Sequence, residues 1–229
     1  MKPHSSLNVG IRSATFVATN SATFSFGGWH TEFSYEYLPK DSTTWIVGTN
    51  SIPLGISEAC GIAINSDQEI LLIGNTCEIL GRRILKFNVE DHTFEELPMK
   101  LIHGRFAARC AFIPGTKKII ITGGLNVTMR SSESMSSVEI FDVENGSITL
   151  ASNPMNVGRS YHGIGVLTVN DQDKLAVFGG QNESGDLDSV EILDAKTLQW
   201  ELSDMKLNGK RAEFGFLSVK HEDICKLQF

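Results

Sequence analysis

Four short apolar runs punctuate the chain, and each stops at a glycine. They are Thr23-Phe24-Ser25-Phe26-Gly27-Gly28, Ile70-Leu71-Leu72-Ile73-Gly74-Asn75, Ile119-Ile120-Ile121-Thr122-Gly123-Gly124 and Leu175-Ala176-Val177-Phe178-Gly179-Gly180. Runs of this length, rich in Ile, Val and Phe and closed by glycine, predict buried strands rather than helices. Their first glycines, at 27, 74, 123 and 179, recur at intervals of 47, 49 and 56 residues. An interval of that size is the mark of a repeated supersecondary unit.

A second strand is predicted after each glycine, beyond a polar loop. Ile84-Leu85-Lys86-Phe87, Val138-Glu139-Ile140-Phe141 and Val190-Glu191-Ile192-Leu193 alternate as half-buried strands do, and Ser34-Tyr35-Glu36-Tyr37 holds the corresponding place in the first unit. Turn residues come next, most clearly Asn145-Gly146, a strong hairpin signal. A large apolar residue then arrives at a near-fixed distance: eight residues from Tyr37 to Trp45, and seven from Phe87 to Phe94, Phe141 to Ile148 and Leu193 to Trp200. A further strand precedes each glycine run and opens on a small-basic pair, Gly104-Arg105, Gly158-Arg159 and, slightly altered, Gly209-Lys210-Arg211. Small residues such as Gly163 and Gly165 suit an innermost strand, where strands converge and space is short.

Four strands per unit, a period near 50 and a diglycine after the second strand resemble the kelch repeat of β-propellers. The resemblance runs from about residue 11 to 219 and implies an all-β fold: a kelch-type β-propeller with four recognisable four-stranded blades plus a partial fifth. The units fall at about 11–50, 51–101, 102–155 and 156–208, with the partial unit at 209–229; residues 1–10 are an extension that can at most donate an outer closing strand. Gly27, Gly28, Gly74, Gly123, Gly124, Gly179 and Gly180 are then structural, as are Trp45, Phe94 and Trp200. The second unit departs from the pattern, with Gly74-Asn75 for the diglycine and no arginine after Gly55. Such propellers are closed rings of five to seven blades, so the expectation is an irregular five-blade ring or an incomplete one.

Composition narrows the function. Twenty Lys+Arg against 27 Asp+Glu give a net charge of −7, and the lack of a basic face argues against nucleic-acid or membrane-surface binding. Apolar runs are too short for a transmembrane helix, and no signal peptide is seen at the N-terminus. Cys60, Cys77, Cys110 and Cys225 stand far apart without metal-ligand spacing. Cys60 and Cys110 fall in apolar segments and read as small core thiols, which points to a reduced, cytoplasmic setting.

The candidate chemistry lies in the loops. Arg105, Arg159 and Arg211, with Arg12 as a fourth member, precede inner strands at equivalent positions, so a ring of guanidinium groups at one mouth of the propeller would fork onto carboxylates of an acidic partner segment. The other open reading is that each arginine is an organiser within its own blade. Trp29, His30, Asn126, Arg130, Gln181 and Asn182 follow the glycines and are further partner-binding candidates, Trp29 as an anchor or as a packed residue of its blade. His162 has no orienting carboxylate or nucleophile in sight and reads as a packed histidine bonded to backbone. No catalytic residue, metal or cofactor is expected. The reading is a non-catalytic protein-interaction module, of the kind that serves as the substrate-recognition part of ubiquitin-ligase adaptors. The alternatives are a kelch-propeller enzyme acting on sugars, of oxidase or sialic-acid mutarotase type, and a truncated fragment without its own activity.

Overall fold

The computed structural model describes residues 6–76, 81–126, 133–169 and 172–214, and every regular element among them is a strand. Sixteen strands form four antiparallel sheets of four, each paired in the order in which its strands occur along the chain. The first blade is β1 (Thr15–Ala18), β2 (Ala22–Phe26), β3 (Tyr35–Pro39) and β4 (Ile46–Val47). The second is β5 (Cys60–Ile64), β6 (Glu69–Ile73), β7 (Ile84–Asn88) and β8 (Phe94–Glu96). After β9 (Arg105–Phe106), the third comprises β10 (Arg109–Phe112), β11 (Lys118–Thr122), β13 (Val138–Asp142) and β14 (Ser147–Leu150), with β12 (Leu125–Asn126) pairing back to β9. The fourth is β15 (Gly163–Val169), β16 (Gln172–Phe178), β19 (Ser189–Asp194) and β20 (Gln199–Lys206), with a small hairpin of β17 (Gln181–Asn182) and β18 (Gly185–Asp186) in the loop between β16 and β19. The four-stranded unit expected from the repeat is therefore present four times.

Register makes the units superimposable. Phe26, Ile73, Thr122 and Phe178, each just before its glycine, pair with Tyr35, Ile84, Val138 and Val190. Counting from these pairs corrects one spacing: the first-blade equivalent of Phe87, Phe141 and Leu193 is Leu38, not Tyr37. Trp45 thus follows its reference residue by seven positions, as in the other three blades.

Period-2 alternation gives every blade two apolar faces, and the core lies between blades. Phe24, Phe26 and Tyr35 of the first blade pack with Ile70, Leu72, Leu85 and Phe87 of the second. Leu71, Ile73 and Ile84 on its other side meet Ile119, Ile121 and Phe141 of the third, whose Ile120 and Val138 meet Leu175, Val177, Leu193 and Trp200 of the fourth. The inner strands follow one another the same way, β1 on β5, β5 on β10 and β10 on β15. Facing away from the second blade, the first carries Thr23 and the buried Ser25 where the others place Ile or Leu and then Leu, Ile or Val, and its Phe16 is 53% exposed, edge-on to Trp45.

Three expectations are revised. Residues 6–14 form no strand but run as a linker into β1, so no outer closing strand arises from 6–10. Cys60 and Cys110 are buried as expected, yet they are joined in a disulfide across the interface of the second and third blades, Cα atoms 5.9 Å apart. Cysteine 110 stands one repeat plus one residue after Cys60, and the extra residue turns its side chain to the opposite face, toward the neighbouring inner strand. The disulfide removes the argument for a reduced setting, which rested on free thiols. The part of the fifth unit beyond residue 214, together with Cys77 and Cys225, lies outside the described residues. No helix among the described residues is long and apolar enough to cross a membrane.

Candidate functional site

The arginines settle into two kinds. Arg105 and Arg159 are 0% exposed, and each fills its blade with four hydrogen bonds. Arg105 donates to Gly123 O (2.8 Å), Ser137 O (3.1 Å), Ser137 Oγ (3.1 Å) and Glu139 Oε1 (2.7 Å). Arg159 does the same to Gly179 O (2.7 Å), Ser189 O (3.3 Å), Ser189 Oγ (3.2 Å) and Glu191 Oε1 (2.7 Å). Meanwhile the carbonyl of Arg105 accepts Asn75 N, and that of Arg159 accepts Gly124 N, from the blade before. Each arginine is thus a staple between successive blades, and its guanidinium is not available to a partner. Gly123 lies against this staple: at φ +59° its backbone is left-handed, and a Cβ there would collide with Arg159 O.

Arg211 keeps the backbone part of the role, its carbonyl accepting Gly180 N at 2.9 Å, but its side chain is exposed and bonds Gly209 O. The slot expected for Arg12 is occupied by Ile11; Arg12 stands one residue further on, exposed, with its guanidinium 5.7 Å from the Trp29 ring centroid. The second blade replaces the whole device. Ile56 holds the arginine slot and Leu85 the glutamate slot, and Pro53, which has no N–H, replaces the residue whose N–H binds that glutamate elsewhere (Ile102 to Glu139, Asn156 to Glu191). An apolar version of the same joint, with one backbone donor fewer, results.

Among the loop residues, Trp29 (51% exposed) and His30 are open to solvent, and Phe33, not singled out from sequence, is 60% exposed beside them. Asn126, Gln181 and Asn182 are half-buried within β12 and β17, with Gln181 backbone bonded to Ser160. Arg130 lies outside the described residues.

A group missed in the sequence gathers where the four blades converge. Ser13, Glu58, Ala107, Tyr161 and Glu213 occupy equivalent positions before successive inner strands, all left-handed, with φ of 63°, 55°, 52°, 53° and 56°. Each donates its N–H to the carbonyl of the one before, over 3.0, 2.9, 3.0 and 3.2 Å from Glu58 round to Glu213. Their side chains share nothing chemically, so the sequence shows no motif; only the shared backbone conformation reveals the set. Ser13, Glu58, Tyr161 and Glu213, with Arg12, Phe16, Arg109 and Phe214, line a pocket of about 380 Å³. Glu58 accepts Ser13 Oγ (3.0 Å) and Tyr161 OH (2.8 Å). Burial and the bond to Glu58 raise the Tyr161 hydroxyl well above its ordinary range, so it stays protonated. Arg109 donates to Ala108 O (3.0 Å), and burial lowers its pKa, partly offset by Tyr161 and Glu58.

His162 is fully buried and bonds Thr122 Oγ1 at 2.8 Å, a side-chain hydroxyl rather than the backbone expected. Burial, reinforced by Arg109 and Arg159, holds its pKa well below 6.5. Its neutral form therefore stabilises the fold fully above about pH 6.5, and this contribution falls as acid protonates the unfolded chain first, by up to about 1.4 kcal/mol per pH unit. Denaturant titrations of wild type and His162→Gln between pH 7 and 5 should show the steeper loss in wild type.

Comparison with known proteins agrees with this architecture. Residues 159–202, from the Arg159 staple into β20, match the kelch motif. No curated protein matches the chain. Among solved structures, the structure of YjhT superimposes with a TM-score of 0.70 at 17% identity, covering 90% of this chain and 68% of that one.

Proposed function

Taking the chain as a kelch-repeat β-propeller, we propose that it is a non-catalytic interaction module that grips a partner segment on the face where the diglycine loops and the blade convergence meet. The observation that carries this is the β2–β3 loop of the first blade. Trp29 and Phe33 are both exposed there, and the loop is pinned by Trp29 N to Arg12 O (2.8 Å), Thr31 N to Gly28 O (3.0 Å) and Thr31 Oγ1 to Gly27 O (2.9 Å). Rigid aromatic anchors flanked by arginine are the residues that dominate interface energy. The partner is taken as an acidic segment, with Arg12 as the rim cation. Serving as the substrate-recognition part of a ubiquitin-ligase adaptor is one use of such a module.

The test is quantitative capture from native extract by wild type and by Trp29→Ala/Phe33→Ala, after matching thermal melts. A specific partner reduced at least about tenfold by the double variant is expected, since each anchor lost costs about 2 kcal/mol or more. Equal capture overturns the surface. The convergence of Glu58, Arg109, Tyr161 and Glu213 favours a second reading, an enzyme of the same fold acting on sugars. Sugar turnover abolished by Glu58→Gln, with capture unchanged, would select it.

A further inference from the structure

The first blade keeps the carboxylate half of the staple and lacks the cation. Asn8 N and Nδ2 donate to Glu36 Oε2 (2.9 Å each), Val9 N donates to Glu36 Oε1 (3.1 Å), and Asn8 Nδ2 also reaches Trp45 O (3.0 Å). In the fourth blade Asn156, Val157, Glu191 and Trp200 make the same four bonds. There Arg159 adds its guanidinium to Glu191 Oε1, whereas the first blade has Ile11 at that place. No ion pair among the described residues includes Glu36. Its Oε1 thus accepts one bond where those of Glu139 and Glu191 accept two, and Glu36 is 5% exposed where they are 0%.

The surroundings of Glu36 have changed with it. Phe16, Ser25, Glu36 and Val47 pair across the strands as one row on the face turned away from the second blade. Where Ser25 stands, the third and fourth blades have Ile121 and Val177, paired with Glu139 and Glu191. Ser25 is almost fully buried, yet its Oγ has no hydrogen-bond partner among the described residues. A buried hydroxyl is unfavourable there until a donor reaches it. Phe16 and Val47 border the pair half-exposed, with Trp45 edge-on to Phe16. A guanidinium supplies what this row takes: N–H donors for two oxygens and a planar cation for the ring of Phe16.

We propose that this face of the first blade is an arginine socket, which takes the guanidinium of an arginine in a partner segment against Glu36 and Ser25. Arg105 and Arg159 show that the same slot elsewhere in this chain is filled by that group, at 2.7 Å from the carboxylate. The net charge of −7 favours a cationic visitor. The socket goes beyond the Trp29–Phe33 surface, and its ligand is opposite in sign to the group taken for Arg12.

Backbone amides of Asn8 and Val9 in 15N-labelled full-length protein report directly on the Glu36 carboxylate they bind. The probes are acetyl-Gly-Arg-Gly-amide and its citrulline counterpart, which keeps the shape and loses the charge. A saturable shift of both amides with the arginine peptide is expected, at least about tenfold weaker with citrulline. Ile11→Arg supplies the guanidinium from within the chain and should abolish binding, as should Glu36→Gln. If either fails to fold, Ser25→Val decides: it installs the fourth blade's residue, removes the waiting hydroxyl and should weaken binding. No saturable shift, the two peptides binding alike, or binding that survives Ile11→Arg and Ser25→Val would overturn the socket. Because no variant touches Trp29 or Phe33 and no captured partner is used, it can fail while that surface stands.

Discussion

Arg159→Met will cost the protein about 3–5 kcal/mol, the usual consequence of leaving one member of a buried ion pair without the other. Glu191 is fully buried, and its remaining partners, Asn156 N, Asn156 Nδ2 and Val157 N, do not replace the guanidinium bond lost from Oε1. The second blade supplies the rescue. Asn156→Pro/Arg159→Ile/Glu191→Leu transplants its Pro53, Ile56 and Leu85 into the fourth, removing the carboxylate, the guanidinium and both Asn156 donors, and leaving the Val157 N–H, whose counterpart Leu54 the second blade also keeps. Denaturant unfolding should place the triple variant within about 1–2 kcal/mol of wild type, since a well-packed apolar substitute for a buried ion pair is often neutral. A triple variant as unstable as the single one would show that the staples contribute through their bonds to Gly179 O and Ser189, and not through the charge pair.

The second large effect concerns the disulfide. Cys60→Ala/Cys110→Ala should lower stability by about 2–4 kcal/mol, because the bridge closes a loop of 50 residues in the unfolded chain. Melting temperature should fall by roughly 5–15 °C in a chain of this size. Wild type treated with reductant should fall equally, while the double variant ignores reductant. A non-reduced peptide map showing Cys60 and Cys110 as free thiols, with no melting difference, would remove the staple from the second–third blade interface.

Much of this was legible in residues. The four glycine-terminated runs, the alternation of β13 and β19 and the late aromatic marked the blades because each is a local feature, fixed by period and by turn chemistry. The arginine set was legible as a repeat and not as a function. Gly104-Arg105 and Gly158-Arg159 recur identically whether the side chain turns outward to a ligand or inward to a glutamate 34 or 32 residues later. Glu139 and Glu191 are visible in their strands as the polar member of an alternation, a position that usually faces water. What contradicts that expectation is the neighbouring blade, which covers the face.

The amino-acid sequence alone determined that this chain folds as four-stranded blades repeating every fifty residues or so, because strand period, glycine stops and turn residues act over a few neighbours. Tertiary structure decided which cations remain available. Burial of Arg105 and Arg159, exposure of Trp29 and Phe33, the Cys60–Cys110 bridge and the meeting of Glu58, Arg109 and Tyr161 all depend on side chains some fifty or a hundred residues apart being brought together by blade packing. Solvent exposure and electrostatic pairing are properties of that packing, and no spacing along the chain encodes them.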